Sequence, residues 1–370
     1  MWKTKQFKSL EEEKRYRELV MRTFLNQEEG RTTDDYKNMY LSLNTIQANA
    51  MLDSSLAITV GRKEDNKFRN RYRDIAPYDF NRVVLKKTQE NWDGYINASF
   101  IYTPYDTRKK YIAAQGPLPA TLSDWWRMIE EQNVKLIVNL CQLVEQGAKK
   151  CERYWPEFIG TTMTFGLYEV TMTEELFLKD EAYTRRTLEV KNQETMETRT
   201  IRQLHYQGWP DHGCPDNELP VLKFIQTMEM YNRAHSKGAP MLLHCSAGVG
   251  RTGSIIAISY LREQIRSSQV EYIDIMDLVI KLRRQRMYMV QSVSQLAFVC
   301  KCIHTICARR LEPPKIQTSD HEHEPVRAPP TRPRIIVATG VVFHRIANVV
   351  GSQTLRARRA LGNWVLPDPQ

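Results

Sequence analysis

The 370-residue chain is 42% apolar and 26% charged, an ordinary balance for a globular protein, and long enough for one large core or two small ones. Its formal charge of +10 favours anionic partners, but no zinc-finger spacing, RNA-binding aromatic signature or long Lys/Arg block selects nucleic acid. No apolar run approaches the roughly 20 residues of a membrane helix, and the charged N-terminus lacks a signal-peptide stretch. The expected location is therefore cytoplasmic, with the nucleus left open. Seven scattered cysteines, an odd number, argue against a disulfide framework. Those in "FVCKCIHTIC" read as buried thiols rather than metal ligands, and neither a metal nor a cofactor is expected.

In chain order, residues 9–29 read as an amphipathic helix. Ser9 and Glu12 form its capping box, and Tyr16, Leu19, Val20 and Thr23 its stripe. From about 68 to 308 short strand-like runs alternate with helical patterns. Leu122, Trp125, Trp126 and Ile129 share one helical face, and "KLIVNL" (135–140) reads as a buried strand. Pro220 opens a helix with the stripe Val221, Phe224, Ile225 and Met228, and Ile275, Leu278, Val279 and Leu282 mark another. Strands interleaved with helices predict an α/β (α+β) fold, a single large domain with a twisted mixed β-sheet flanked by helices. After residue 311 proline and charge dominate without a lasting period. The predicted organisation is a helical extension over 1–64, a main domain over 65–310 and a Pro-rich, basic tail over 311–370. "PTRP" (330–333), beside Arg327 and Arg334, has the P-x-x-P form of a weak SH3 ligand, against the plainer reading of a solvated linker.

The stretch "HCSAGVGRTG" (244–253) carries the chemistry. "PMLLHC" reads as a strand ending at His244, and a buried helix starts near Arg251. The small, glycine-bearing loop between them can turn its N–H groups inward as an anion nest, reinforced by the positive end of the helix. There is no Gly-Lys-Ser/Thr ending, so the nucleotide-binding alternative fails. The same field favours the thiolate of Cys245. A phosphate in the cup would set its phosphorus beside the sulfur, with Arg251 gripping two oxygens. Transfer to sulfur then needs an acid for the leaving oxygen and later a base for water. Asp211, on the Trp-Pro turn of "HYQGWPDHGCP", can serve as both. A cup as deep as a phenyl ring would admit phosphotyrosine and exclude the shorter phosphoserine, but Tyr72 and Asp74 taken alone read as ordinary loop residues, and only the resemblance below makes Tyr72 the wall of such a cup.

These residues resemble one family closely: the tyrosine-specific protein phosphatases that work through a cysteinyl-phosphate, over about residues 65–308. The resemblance implies Cys245 as nucleophile, Arg251 as phosphate clamp, and Ser246, Ala247, Gly248, Val249 and Gly250 as the amide cradle. It implies Thr252 as the hydroxyl easing thiolate departure and His244 as the residue that helps keep the cysteine ionised. "WPDHG" is similar to the mobile acid loop, making Asp211 general acid and then base. "MVQSVSQ" is similar to the glutamine loop, with Gln291 positioning water and Gln295 supporting it. "NRYRDIAPYD" is similar to the phosphotyrosine-recognition loop, with Tyr72 stacking on the substrate ring and Asp74 accepting from its backbone. In "EQGAKKCERYWP", Glu145 would orient the arginine and Lys150 contact the acid loop. The implied partners are phosphotyrosine-containing proteins.

The sequence departs from that family at three places. Glu130 stands where tryptophan is common, which suggests a packing change. Ser292 replaces the usual threonine. Tyr288 is bulky where some members have glycine, so it would narrow the approach to the site. Two rival readings share the scaffold. A non-catalytic phosphotyrosine-binding module is disfavoured because Cys245, Asp211 and Arg251 are all present. A dual-specificity or phosphoinositide phosphatase is disfavoured by the Tyr72 loop.

Overall fold

A computed structural model describes residues 7–103, 106–210, 213–266 and 272–312, the side chains of 106–110 excepted. These belong to the first of two units, Met1–Pro314. The second, Lys315–Gln370, lies outside the described residues, and with it the P-x-x-P stretch at 330–333.

The chain begins with helices α1 (Leu10–Glu28), α2 (Thr33–Ala50) and the single turn α3 (Thr59–Arg62). Strands β1 (Arg82–Val84), β2 (Tyr95–Thr103) and β3 (Asp106–Ala114) lead to α4 (Leu122–Glu131) and β4 (Leu136–Asn139). A small hairpin, β5 (Val144–Glu145) with β6 (Ala148–Lys149), precedes β7 (Thr162–Phe165), β8 (Tyr168–Leu178), β9 (Tyr183–Asn192) and β10 (Thr198–Tyr206). Then follow α5 (Leu219–His235), β11 (Met241–His244), α6 (Gly250–Arg266), α7 (Ile275–Arg283) and α8 (Val293–Leu311).

Nine strands form one mixed sheet in the order β1-β2-β3-β11-β4-β10-β9-β8-β7. The inner four, β3, β11, β4 and β10, run parallel, and antiparallel strands extend both sides. Inner parallel strands lose water on both faces, so they read as apolar runs rather than alternating ones. Met241, Leu242, Leu243 and His244 are all buried accordingly. Because the four strands point one way, their C-terminal ends share an edge. Residues 115–117, 140–145, 207–210 and the loop after His244 all leave the sheet there. Such an edge is where ligands bind in open α/β sheets.

The stripes expected for α5 and α7 are buried, as are Trp125, Trp126 and Ile129 of α4, while Leu122 is half-buried. The stripe of α1 requires correction. Leu19 is 61% exposed and Thr23 is exposed; Met21 and Phe24 are buried and α1 packs on α8. Ser9 accepts from the Glu12 N–H, but the Glu12 carboxylate takes the N–H of Lys8 rather than that of Ser9. Helix α2 carries a complete capping box between Thr32 and Asp35, and Leu43 joins it to the main core. Glu130 is no apolar substitute. Its carboxylate accepts from the Tyr168 hydroxyl (2.7 Å) and the Asn192 amide (2.9 Å), tying α4 to β8 and β9.

Candidate active site

The loop from Cys245 to Gly250 leaves the buried end of β11 and enters α6. Every backbone carbonyl along it is bonded outward. Ser246 O accepts from Gly116 N (2.9 Å), and Ala247 O and Gly248 O accept from the Arg286 guanidinium (3.0 and 2.9 Å). Val249 O accepts from Val290 N (3.1 Å) and Gly253 N (3.0 Å), and Gly250 O from the Ser254 hydroxyl (3.1 Å). A peptide plane whose C=O points out turns its N–H in, which is how a nest forms. The Gly248 N–H points at Cys245 Sγ (3.3 Å). Gly248 has φ +72, and a Cβ there would lie 2.1 Å from Ala114 O. This turn requires glycine.

The Cys245 carbonyl is held from below by His244. Gln203, whose Oε1 accepts from Arg186, donates through Nε2 to the Tyr154 hydroxyl (2.9 Å). Tyr154 then donates to His244 Nε2 (2.8 Å), which assigns the ring proton to Nδ1, facing Cys245 O at 3.2 Å. Burial drives the His244 pKa down to about 4, so the ring is neutral near pH 7. Its support to Cys245 thus comes from a donated hydrogen bond and not from a cationic charge.

Arg251, on the first turn of α6, is chelated by Glu145. Its Nη1 meets Oε1 at 2.5 Å and its Nη2 meets Oε2 at 2.9 Å, and the pair is nearly buried. Burial opposes the charge, but the Glu145 hydrogen bonds and carboxylate outweigh it and raise the guanidinium above its ordinary value. Arg251 also donates to Leu140 O and Pro210 O (both 3.1 Å), so it joins three strand ends. Beyond Pro210, Asp211 lies outside the described residues. Trp209 Nε1 donates across that turn to Gly213 O (3.2 Å), and its ring packs on Phe298. Lys150 Nζ has no hydrogen bond among the described residues.

The Tyr72 hydroxyl meets Ser246 Oγ at 2.8 Å while the residue stays 37% exposed, so its ring stands at the rim of the nest. Asp74 is exposed beside it. Gln291 and Gln295 crowd Gly250: a Cβ there would lie 3.3 Å from Gln291 Oε1 and 2.9 Å from Gln295 Nε2. The Thr252 hydroxyl is buried without a hydrogen-bond partner among the described residues. No group of three or more His, Cys, Asp or Glu able to hold a metal occurs among them.

Three supporting residues carried no sequence signal. Arg286 is fully buried, with Asn97 Oδ1 (2.8 Å) and Ser99 Oγ (3.1 Å) as its other partners, and burial pulls its pKa down to about 10. Arg71 spans Gly116 O, Pro117 O and Lys149 O, fixing the segment that bears Tyr72. Tyr154 is the hinge of the histidine relay. Arg286 and Arg71 act through backbone carbonyls and Tyr154 through the His244 ring, roles no residue spacing announces.

A sequence model described as "Protein-tyrosine phosphatase" matches residues 66–305. The chain belongs to that family. It is 41% identical over 248 residues to receptor-type tyrosine-protein phosphatase eta of Gallus gallus, covering 67% of this chain and 17% of that protein. It is 36% identical over 281 residues to human tyrosine-protein phosphatase non-receptor type 12, covering 75% of this chain and 35% of that protein. The chain therefore spans far less than two thirds of the length of these relatives. The solved catalytic domain of human protein tyrosine phosphatase non-receptor type 18 superposes with a TM-score of 0.70 at 32% identity, over 79% of this chain and 99% of that one. A further structure of that enzyme, in complex with HER2-pY1196 phospho-peptides, matches with a TM-score of 0.70 at 33% identity, over 77% of this chain and 98% of that one. No helix among the described residues is long and apolar enough to cross a membrane.

Proposed function

We propose that this protein hydrolyses phosphotyrosine in proteins through a cysteinyl-phosphate. The observation that carries the reading is the outward bonding of every carbonyl from Cys245 to Gly250, which leaves the loop's N–H groups to face an anion above the sulfur. Cys245 thiolate attacks phosphorus, the bond from phosphorus to the tyrosine oxygen breaks, and Asp211 as the acid gives that oxygen its proton. The Asp211 carboxylate then takes a proton from water placed by Gln291. Water oxygen attacks phosphorus, the S–P bond breaks, and inorganic phosphate and the thiolate are released. Thr252, whose hydroxyl has no other partner among the described residues, donates to the departing sulfur. Arg251, held flat by Glu145, grips two phosphoryl oxygens, and the amides and helix dipole supply the remaining stabilisation. Tyr72 walls the cup to the depth of a phenyl ring, Asp74 takes backbone N–H groups of the peptide, and Lys150 and Gln295 support the acid loop and the water. The phospho-peptide complex of the neighbouring structure supports the same substrate class.

The test is phosphate release from a phosphotyrosine peptide and its phosphothreonine counterpart by the full chain, with Cys245→Ser as control. Release from phosphotyrosine alone, lost in Cys245→Ser, is expected. Equal release by wild type and Cys245→Ser would sink the enzyme reading, and binding without release would leave a phosphotyrosine-binding module.

A further inference from the structure

Residues 288–291, between α7 and α8, carry two non-glycine residues in the left-handed region, Tyr288 (φ 59) and Val290 (φ 59). For a β-branched valine this conformation is a true outlier, worth about 1–3 kcal/mol of strain. Such strain persists only where surrounding contacts over-determine it. Those contacts come from Arg283 at the end of α7, from Val249 of the Cys245 loop and from α2, the last outside the 66–305 span matched by the family. Tyr40, Leu43, Asn44 and Gln47 fall at i, i+3, i+4 and i+7, so they share one helical face. Leu43 anchors that face in the core. The Tyr40 hydroxyl donates to the Gln291 carbonyl, and Gln47 Oε1 accepts from the Tyr288 N–H at 3.0 Å. Asn44 Oδ1 accepts from Arg283 Nη1 at 3.0 Å. Arg283, itself buried with its guanidinium over the Tyr40 ring, donates to Met289 O (3.0 Å) and Val290 O (2.9 Å).

The segment so held has two outputs into the site. The Val290 N–H bonds Val249 O of the nest at 3.1 Å, and the Gln291 N–H bonds Gln295 Oε1 at 2.8 Å, leaving both glutamine side chains against Gly250. We propose that α2 is a positioning element for the second chemical step, with Tyr40, Asn44 and Gln47 holding residues 288–291 so that Gln291 is aimed at the water that cleaves the cysteinyl-phosphate. This rests on the phosphatase reading above. None of the three touches the substrate; they act through the backbone that bears Gln291. Attack by Cys245 depends on the nest and Arg251, which keep their other contacts, so the two steps separate.

The full chain carrying Tyr40→Phe, Gln47→Leu or Gln47→Glu is mixed rapidly with an aryl phosphate, and phenol release is followed through the first turnover. Hydrolysis of the intermediate is expected to slow about tenfold or more in Tyr40→Phe and Gln47→Leu, since an ångström of misplacement can cost up to roughly a hundredfold. A burst approaching one phenol per enzyme then precedes a slower steady rate, with the burst rate unchanged. Gln47→Glu keeps an acceptor for the Tyr288 N–H and is expected to retain the wild-type pattern. Burst and steady rates falling together, or neither changing, would overturn the role of α2. Absence of any Cys245-dependent release by the wild type would instead overturn the underlying phosphatase reading.

Discussion

Two neighbouring loops reach left-handed backbone by different means. In the Cys245 loop the left-handed residue is Gly248, which adopts φ +72 without a Cβ penalty. In the 288–291 segment the left-handed residues are Tyr288 and Val290, which adopt it against their own preference. The first loop is specified locally, by glycines between a strand and a helix. The second is specified remotely, by α2 and Arg283. Substitutions should therefore break the first from within and the second from a distance.

The largest effect is expected from Gly248→Ala. Its Cβ would enter the Ala114 carbonyl, at 2.1 Å, in a backbone that alanine disfavours. Stability should fall by about 4 kcal/mol, read by denaturant unfolding, and phosphatase activity should vanish. A Gly248→Ala protein of wild-type stability would show that the loop is not fixed by its glycine.

Acid should separate the loops next. The Cys245 side rests on two buried neutral rings, His244 under Cys245 O and His205 on Cys141 O, whereas the other rests on Arg283, which stays charged as pH falls. Burial lowers His244 to about 4 and His205 to about 3 from an unfolded value of 6.5. Above about pH 6.5 the rings are neutral in both states. Below it the unfolded chain takes up protons first, and stability falls until the folded values are passed. Between pH 7 and 5 each ring should cost about 2 kcal/mol. Unfolding measured at both pH values, with His205→Asn expected to lose about half the slope, checks this. A flat profile between pH 7 and 5 would contradict it.

Glu145→Gln should leave the loops in place and loosen only the clamp. The amide keeps one acceptor but loses the charge and the paired geometry on Arg251. A fall of about thirtyfold in kcat/KM, about 2 kcal/mol, is expected. An unaltered kcat/KM would show that Arg251 needs no orienting carboxylate.

What was legible in the sequence follows the same division. "HCSAGVGRTG" could be read because its glycines, its strand and its helix are contiguous, and the stripes of α5 and α7 because periodicity is local. Arg286, Arg71 and Tyr154 could not, since each acts on a distant partner: Gly248 O is 38 residues from Arg286, Gly116 O is 45 from Arg71, and the His244 ring is 90 from Tyr154. Helix α2 falls within the helical extension expected over 1–64, but nothing in the sequence says that its inner face meets residues 288–291. The stripe of α1 was misplaced because most of that helix is solvated, which leaves its apolar period weak. Glu130 shows the limit of substitution reasoning. A carboxylate at a tryptophan position is not repacking when Tyr168 and Asn192 offer it donors.

The smallest effect is the most diagnostic, because its sign carries the information. At ordinary positions alanine is more stable than glycine by about 0.5–1 kcal/mol, since glycine loses more backbone freedom on folding. Tyr288→Gly and Tyr288→Ala both remove the half-buried ring, so that loss cancels in their difference. What remains is the Cβ in a φ 59 backbone, whose left-handed penalty is about 1–2 kcal/mol. The order should therefore reverse, with Tyr288→Gly the more stable by up to about 1 kcal/mol, read from paired denaturant midpoints. If Tyr288→Ala proves the more stable, the conformation is not imposed on this segment, and the contrast with Gly248 collapses. If the order reverses and then returns to normal when Gln47→Leu is added, α2 is the element that imposes it.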